Sequence, residues 1–422
     1  MIPLSLDEIE ALCPGRFDRA PWADEATGVQ IDSRVIEEGD LFVGIGEGAD
    51  YLRHAFARGA AAVLIPDAPF AALAALGSTV RARSSARVVG ITGSTGKTST
   101  KDILAALCAP HARTVAAEGG HNNEIGLPLT LTRIEADTEV VVCEMGMRGL
   151  GQIAQLCATA RPEVGVITSI GPVHLELLGT VERVAEAKAE VVASLPAGGT
   201  AVVPDEPLLE PHLQRGDVEV RRFRSEDVLA FEPRDDGSRV RLRVAERELE
   251  LDFPFTARYQ ALNALAALHA YDALGLPLEH AQEGAHAVTL SRWRGEEVEL
   301  PGGGLLVNDA YNANPVSMRA ALEHLAERAQ GRRTVAILGD MAELGEGSPE
   351  LHAEVGRAAP VDLLLAVGRL ARHYDGTHWV ETVEEALPLL DELLRPGDAI
   401  LVKASRAMGL ERIADAVQGA RV

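Results

Sequence analysis

The segment that decides the fold is residues 90–100, which read GITGSTGKTST. A strand-like run precedes it at residues 86–89, and residues 101–107 have helical character. Successive backbone N–H groups in a Gly-rich turn, with the N-terminus of a helix behind them, favour anionic oxygens. Lys97 is therefore expected at the β- and γ-phosphates of a nucleotide, and the Thr98 hydroxyl at a magnesium ion.

The spacing of this motif departs from the strict Walker pattern G-x-x-x-x-G-K-[ST], because position 91 is isoleucine. The strand–turn–helix context is retained, so the sequence predicts a nucleotide-binding loop. The alternative is a Gly-rich turn that only caps a helix.

Length and charge restrict the possible classes of protein. A chain of 422 residues predicts two or three domains. The content of 47% hydrophobic and 24% charged residues is ordinary for a soluble globular protein. The net charge of −23 argues against binding to nucleic acids or anionic membranes, since both favour basic surfaces.

No targeting or membrane-spanning segment is expected. Residues 1–6, MIPLSL, run directly into Asp7, unlike a signal peptide. The most apolar stretch, residues 60–80, is interrupted by Pro66 and Pro69, so no membrane insertion is predicted. The four cysteines have no paired spacing, which predicts buried, reduced thiols in a cytoplasmic protein.

Lysine is scarce in this chain. Of 40 basic residues only Lys97, Lys101, Lys188 and Lys403 are lysines. A lysine that persists where arginine is otherwise used marks a position that needs a compact ammonium or an amine able to lose its proton. Chance survival is the alternative for any single one, but two of the four, Lys97 and Lys101, lie in the phosphate-loop motif or directly after it.

Strand-like and helical segments alternate along the chain and predict an α/β fold of three regions. The first ends near Ser84, the second begins at Arg87 and the third begins near Gly295. Residues 240–253 alternate in hydrophobicity, which predicts an antiparallel hairpin appended to the central sheet. The repeated βα pattern of the third region predicts a mostly parallel sheet covered by helices, with one helix near residues 383–394.

Three residues of the central region are candidate functional residues, and the position of one of them, Glu144, suggests a magnesium ligand. Glu144 ends an apolar strand beside the phosphate loop, where a metal-binding carboxylate is expected, although it could be a loop carboxylate in water. His174 follows another strand and, taken alone, is more often structural. Lys188 shares its predicted helical face with apolar residues, which a solvated ion pair would not explain.

Polar turns follow three strands of the third region. They lie at residues 308–315, 338–345 and 402–406. Because the carboxyl ends of parallel strands meet at one sheet edge, the three turns predict one shared crevice. A plain turn before a helix is the alternative for residues 308–315.

These motifs together resemble the Mur ligases, the ATP-dependent amide-forming enzymes of peptidoglycan precursor synthesis. Residues 309–318 and 338–345 resemble the branch that adds D-alanyl-D-alanine rather than its diamino-acid-adding neighbour. The segments that carry the resemblance are residues 32–34 (DSR), 39–43 (GDLFV), 93–98 (GSTGKT), 122–128 (NNEIGLP), 144–146 (EMG), 171–174 (GPVH) with Lys188, 309–318 (DAYNANPVSM) and 338–345 (LGDMAELG).

The resemblance implies a three-domain architecture. A small N-terminal α/β domain for the UDP-muramoyl peptide would span residues 1–84, a central P-loop ATPase-type domain residues 85–294, and a C-terminal Rossmann-like domain residues 295–422. It implies ATP and Mg²⁺ as cofactors, and UDP-N-acetylmuramoyl-tripeptide and D-alanyl-D-alanine as substrates. Joining them through an acyl phosphate would serve cell-wall synthesis, cell shape and division. A cytoplasmic monomer is expected.

The resemblance also implies roles for individual residues. Implied catalytic residues are Lys97, His174, Lys188 and Arg294. Implied nucleotide-binding residues are Gly93, Ser94, Thr95, Gly96, Lys97, Thr98, Ser99, Asn263, Arg294 and Asp309. Implied substrate-binding residues are Asp32, Ser33, Arg34, Asn122, Asn123, Tyr311, Asn312, Asn314, Asp340 and Lys403. Implied magnesium ligands are Thr98, Glu144, His174 and, after carbamylation, Lys188.

Some positions depart from the family pattern or leave alternatives open. The His-Asn pair expected ahead of Asn263 is Tyr259-Gln260, and the Gly-His-Asp run of the first domain is altered around residues 51–54. Arg294 is preferred over Arg292 as the phosphate-binding arginine by its spacing to Asp309. Rival functions are diamino-acid ligation, folylpolyglutamate synthesis and a nucleotide-dependent switch without ligase chemistry.

Overall fold

The computed structural model of this protein describes residues 1–419, so residues 420–422 of the predicted C-terminal domain lie outside the described part. Three sheets, each largely parallel, follow one another along the chain. Each sheet is covered by helices, as the alternating pattern of the sequence predicts.

The N-terminal domain contains a four-stranded sheet of order β2-β6-β5-β4, in which only β2 is antiparallel to its neighbour. A separate antiparallel pair joins β1 and β3. The strands are β1 Leu4–Ser5, β2 Gly15–Arg19, β3 Glu25–Ala26, β4 Gly28–Gln30, β5 Asp40–Val43 and β6 Ala62–Pro66. The helices are α1 Leu6–Leu12, α2 Leu52–Ala57 and α3 Pro69–Ala82.

The central domain is built on a six-stranded parallel sheet of order β12-β11-β10-β7-β9-β8. Its strands are β7 Arg87–Thr92, β8 Thr114–Ala116, β9 Val140–Glu144, β10 Val164–Ile167, β11 Thr200–Pro204 and β12 Glu219–Phe223. The helices of this domain are α4 Lys97–Cys108, α5 Gly126–Leu131, α6 Gln152–Ala160, α7 Leu175–Leu178, α8 Val181–Ala193, α9 Gln260–Ala273 and α10 Ala281–Ala285.

Strands in the middle of this sheet, such as β9 and β10, are short apolar runs, which fits a sheet that is covered on both faces. All five residues of β9, including Glu144, are buried. Continuous apolar runs of this kind are typical of parallel sheets between two helical layers. The strand pairing places β9 directly beside β7, so Glu144 lies next to the loop that follows β7.

The predicted antiparallel segment forms a sheet of its own, and its attachment to the central sheet was wrongly predicted. Its three strands are β13 Val228–Arg234, β14 Gly237–Val244 and β15 Arg247–Phe253. The inward face of β14, with Val240 and Leu242, packs in the same apolar cluster as Leu265 and Leu268 of α9. Burial of one face against a helix therefore replaces edge pairing with the main sheet.

The C-terminal domain has a six-stranded sheet of order β16-β17-β21-β18-β19-β20, parallel except at β16. Its strands are β16 Glu296–Leu300, β17 Gly304–Asn308, β18 Thr334–Gly339, β19 Leu363–Val367, β20 His378–Val380 and β21 Ala399–Lys403. Its helices are α11 Pro315–Ala329, α12 Ser348–Arg357, α13 Val383–Ala386, α14 Leu390–Leu393 and α15 Glu411–Gly419.

The helix predicted near residues 383–394 is present but is not continuous. Residues 383–394 form α13 and α14 with a 3₁₀ turn between them at Leu387–Leu389. Pro388 lies in that turn, and proline cannot supply the backbone N–H that a continuous helix needs.

The three polar turns of the C-terminal domain lie on adjacent strands, as predicted. They follow β17, β21 and β18, which are neighbours in the sheet and run parallel. Their carboxyl ends therefore open at the same edge.

Candidate active site

The phosphate-loop motif forms the predicted turn between a strand and a helix. Strand β7 ends at Thr92 and helix α4 begins at Lys97. Gly96 caps the helix with φ +81°, and a Cβ atom there would lie 2.1 Å from Asn263 Oδ1. Gly93 is equally confined, because a Cβ atom at this position would lie 1.9 Å from Thr168 Oγ1. Both glycines are required by their close neighbours.

Residues after strand β10 hold the loop in place. The Thr95 N–H donates to Ser169 Oγ at 2.9 Å, and Thr168 Oγ1 donates to the Thr95 carbonyl at 2.5 Å. The Gly171 N–H donates to Ser94 Oγ at 2.9 Å. Thr168 and Ser169 were not predicted as site residues, although they lie where a neighbouring parallel strand ends, and strand ends of this kind usually carry ligand contacts.

Two predicted magnesium ligands meet directly beside the loop. The Thr98 hydroxyl donates to Glu144 Oε2 at 2.6 Å, while Lys97 Nζ donates to the Gly93 carbonyl at 2.7 Å. Asn122 Nδ2 donates to Glu144 Oε1 at 2.8 Å. Asn122, predicted to bind substrate, thus orients the carboxylate that is predicted to bind metal.

The arginine chosen from the linker lies at the loop. Arg294 Nη2 donates to Thr98 Oγ1 at 2.7 Å, and its guanidinium lies 3.9 Å from the centre of the Tyr311 ring. Arg292 is exposed. A guanidinium beside the phosphate loop is suited to bidentate binding of phosphate oxygens.

Lys188 is buried on helix α8, with only 2% of its surface exposed. Burial, and to a smaller extent the Lys97 ammonium, lower the pKa of Lys188 well below its usual range. This shift favours the neutral amine, the form that reacts with electrophiles.

His174 follows β10 and contacts Glu343 through its Nδ1 atom. Burial lowers the pKa of His174, although the Glu343 carboxylate opposes this effect. A neutral imidazole is the form that can bind a metal. Glu343 belongs to the turn after β18, and its contact with the central domain was not predicted.

A cavity of about 530 Å³ lies between the central and C-terminal domains. Phosphate-loop residues 94–99 line it on one side, and Tyr311 and Asn312 line it on the other. Tyr259 and Gln260, the pair that departs from the family pattern, also line this cavity. The predicted nucleotide-binding residues are thus brought together, with Asn263 and Asp309 among the lining residues.

Lys403 and Asp309 form a buried ion pair in this cavity, with Lys403 Nζ 2.6 Å from Asp309 Oδ2. Lys403 also donates to the Asn312 carbonyl at 2.8 Å. The pair links the turns after β17 and β21, so it fixes the shape of the crevice edge.

Three other predicted substrate residues stabilise local backbone. Asn314 caps helix α11 by accepting from the N–H groups of Val316 and Ser317. Asn123 accepts from two backbone N–H groups at the start of α5. Asp340 Oδ1 accepts from two backbone N–H groups at residues 370–371. Their predicted contacts with substrate stay predictions.

The predicted uridine-side residues do not line the interdomain cavity. Asp32 and Arg34 form an ion pair at 2.7 Å, and the Arg34 side chain lowers the pKa of Asp32 to about 2. Ser33 Oγ lies 2.9 Å from His54 Nδ1. His54 belongs to the altered run of the first domain, so this run keeps a polar contact with the motif at residues 32–34.

Within residues 1–419, no cluster of three or more His, Cys, Asp or Glu side chains is arranged to hold a metal ion. A magnesium site here would therefore depend on the Thr98 hydroxyl, a modified Lys188 and phosphate oxygens in addition to Glu144 and His174. In the same part of the chain, no helix is long and apolar enough to cross a membrane. The four cysteines are free and buried, as predicted.

Comparison with known proteins identifies the family. The Mur ligase middle domain matches residues 91–271, and the Mur ligase glutamate ligase domain matches residues 293–406. This chain belongs to the Mur ligase family. The UDP-N-acetylmuramoyl-tripeptide–D-alanyl-D-alanine ligase of Bacillus subtilis is 33% identical over 92% of both chains.

Solved Mur ligase structures share the whole architecture. MurF from Acinetobacter baumannii superposes with a TM-score of 0.86 at 27% identity and covers 99% of both chains. MurF from Thermotoga maritima, solved in complex with ADP, gives a TM-score of 0.81 at 27% identity and covers 93% of this chain and 97% of that one. The predicted α/β fold of three domains is confirmed.

Proposed function

We propose that this Mur ligase joins D-alanyl-D-alanine to UDP-N-acetylmuramoyl-tripeptide at the expense of ATP. The product would be the UDP-N-acetylmuramoyl-pentapeptide of peptidoglycan synthesis. The names of relatives that match nearly the whole chain support this substrate pair. The observation that carries the proposal is the interdomain cavity, in which the phosphate loop faces the polar strand-end turns of the C-terminal domain.

The division of labour follows the proposed domain boundaries. Residues 1–84 would hold the UDP-muramoyl peptide, residues 85–294 would bind ATP, and the domain from residue 295 would bind the dipeptide. Separate sheets in these three stretches support the division. Arg294 lies at the proposed boundary between the central and C-terminal domains and donates to Thr98, which supports a role of this residue in nucleotide binding.

Amide formation from a carboxylate needs activation because oxide is a very poor leaving group. The terminal carboxylate of the tripeptide would attack the γ-phosphate of ATP and form an acyl phosphate. The amine of D-alanyl-D-alanine would then attack this acyl phosphate and release phosphate. Phosphoryl transfer depends mainly on positioning and charge neutralisation, which Lys97 and Arg294 would supply.

The donor set at the loop fits a magnesium ion. Thr98 and Glu144 present oxygen atoms, which Mg²⁺ prefers, and burial lowers the pKa of His174, which favours its neutral ring. Lys188 is a buried amine with lowered pKa, so reaction with CO₂ would form a carbamate and release a proton. The carbamate would supply the further anionic oxygens. When bound, Mg²⁺ would neutralise the negative charge of the phosphates.

The remaining residues would bind and shield the substrates. Asn312, Asn314 and Asp340 are the proposed contacts for the dipeptide, at the edge formed by β17, β21 and β18. Closure of the C-terminal domain over ATP would exclude water, which otherwise hydrolyses the acyl phosphate. The residues at positions 32–34 would contact the uridine nucleotide. Activity as a cytoplasmic monomer stays part of the proposal.

An omission series tests this function. ADP formation is measured with ATP, Mg²⁺, UDP-muramoyl-tripeptide and D-alanyl-D-alanine, leaving out one component at a time, and the product mass is determined. Turnover that requires all four and yields the pentapeptide is expected. ATP hydrolysis that ignores both peptide substrates would instead favour the nucleotide-dependent switch.

A matched pair of variants connects the activity to the loop. Lys97→Ala removes the ammonium beside the phosphates and is expected to abolish turnover. Arg292→Ala removes an exposed positive charge from the neighbouring linker and is expected to leave turnover nearly unchanged. Equal losses in both variants would refute the assigned role of Lys97.

A further inference from the structure

Glu343 is a carboxylate of the C-terminal domain that reaches into the central domain. It lies in the turn after β18, and its Oε2 atom contacts Nδ1 of His174. Its second oxygen, Oε1, lies 3.5 Å from Arg148 Nε. The backbone takes part as well, because the Glu176 N–H donates to the Glu343 carbonyl at 3.2 Å.

The backbone on both sides of this contact is held in an uncommon conformation. His174 has φ +54° and Glu343 has φ +63°, both in the left-handed region that residues other than glycine rarely adopt. Gly345 also has positive φ, and a Cβ there would lie 3.3 Å from the Glu176 backbone. Such conformations persist where the surrounding structure fixes them, and they concentrate at functional sites.

The contact determines which imidazole nitrogen is free. A carboxylate accepts hydrogen bonds, so the proton of a neutral His174 ring is on Nδ1 and the lone pair is on Nε2. Histidines that bind metals commonly donate their other ring N–H to a carboxylate, which fixes the ring orientation and increases the basicity of the ligand.

We propose that Glu343 is a positioning residue that fixes His174 for metal binding and thereby makes the metal site depend on docking of the C-terminal domain. The inference rests on the proposed function, since it takes His174 as a magnesium ligand. The other proposed magnesium ligands, Thr98, Glu144 and Lys188, all belong to the central domain. Glu343 comes from the C-terminal domain and acts on this metal site indirectly, through its contact with His174.

The arrangement has a thermodynamic consequence. If metal binds more tightly when Glu343 is docked on His174, then bound metal must favour docking by the same factor. Bound metal would therefore help to close the cavity before the dipeptide reacts. An open chain, in which Glu343 is withdrawn, would hold the metal weakly and hydrolyse little ATP.

The test compares the full-length wild type with Glu343→Ala, Glu343→Gln and Glu346→Ala. Glu346 is an exposed carboxylate in the 3₁₀ turn that follows at Gly345–Gly347, so its variant changes the net charge equally without touching His174. Mn²⁺ is the probe, and its free concentration is followed by electron paramagnetic resonance. Nitrogen NMR of ¹⁵N-histidine-labelled protein reports the tautomer, with the His174 signals identified by their loss in His174→Ala.

The expected results separate positioning from general structural support. Glu343→Ala weakens Mn²⁺ binding by about 10- to 100-fold and loses the Nδ1-protonated tautomer of His174. Glu343→Gln retains an oxygen acceptor, so it keeps this tautomer and loses less affinity. Glu346→Ala matches the wild type. The Gln variant also serves as the test if the Ala variant does not fold.

Other outcomes would overturn the inference. Glu343→Ala with the Mn²⁺ affinity of Glu346→Ala and an unchanged His174 tautomer would show that Glu343 does not position the ring. A wild-type chain that binds no Mn²⁺, or whose binding survives His174→Ala, would remove the metal role itself. Failure of the wild type to form pentapeptide, with Mn²⁺ binding that depends on Glu343, would refute the proposed function and leave the positioning role standing.

Discussion

Replacing Glu297 by glutamine is expected to lower the free energy of unfolding by about 3 kcal/mol at pH 7. Glu297 lies on β16 and accepts hydrogen bonds from Thr256 Oγ1 at 2.6 Å, His324 Nε2 at 2.9 Å and Arg328 Nη2 at 2.8 Å. Thr256 precedes α9 of the central domain, whereas His324 and Arg328 are on α11 of the C-terminal domain. The carboxylate therefore joins the two domains next to their linker.

The magnitude follows from the pKa of this carboxylate. Burial opposes ionisation, but the hydrogen bonds from His324, Thr256 and Arg328 lower the pKa of Glu297 from 4.5 to about 2. Each unit corresponds to about 1.4 kcal/mol, which gives about 3 kcal/mol for the ionised form. Because the folded pKa is depressed, this stability is present above pH 4.5 and is lost as the pH falls toward 2.

Urea-dependent unfolding followed by tryptophan fluorescence measures the effect. Glu299→Gln is the matched control, because Glu299 is an exposed carboxylate two positions along the same strand. The Glu297→Gln variant should unfold at lower urea than the control at pH 7, and the difference should shrink between pH 4.5 and pH 2. Equal midpoints at pH 7, or a difference independent of pH, would refute the reasoning.

Three further outcomes follow from the structure. Gly96→Ala should weaken ADP binding at least tenfold in calorimetry because its Cβ would meet Asn263, whereas Gly151→Ala, which has a similar φ of +83° and no neighbour within 4 Å, should bind ADP normally. Lys188→Arg should lose turnover and fail to respond to bicarbonate, while the wild type slows reversibly when CO₂ is removed; equal responses would contradict carbamylation. Burial lowers the pKa of His269 to about 4, so its protonation favours unfolding, and His269→Leu should reduce the loss of stability seen between pH 6.5 and 4 in thermal melts.

The site components that are local in sequence were predictable. The loop at residues 93–98 combines a turn, a helix N-terminus and a lysine, and all three features are visible in the sequence. The crevice edge was also predictable, because parallel strands end at the same side of a sheet. Burial of Lys188 followed from its apolar helical neighbours, and the structure confirms it.

The structure shows where the four lysines lie. Lys101, Lys188 and Lys403 are all buried, and Lys97 is partly buried in the phosphate loop. Lys101 donates to the Ala117 carbonyl, so one of the four has a structural contact inside the central domain. None of the four lysines is exposed, whereas most exposed basic side chains are arginines.

Contacts between domains could not be predicted from the sequence. Glu343 lies in a turn that was singled out, but its partner His174 is 169 positions earlier, and only domain docking brings the two together. The network around Glu297 has the same origin. The separate sheet formed by β13–β15 was missed because alternating hydrophobicity gives the buried face of a strand and does not give its partner.

Transfer of oxygen from the tripeptide to phosphate is the most direct test of the central claim. The terminal carboxylate of the UDP-muramoyl-tripeptide is labelled with ¹⁸O, and the released phosphate is analysed by mass spectrometry during pentapeptide formation. Activation through an acyl phosphate predicts one ¹⁸O atom in each phosphate released. Unlabelled phosphate formed together with ADP would contradict phosphorylation of the carboxylate and the ligase mechanism derived from this site.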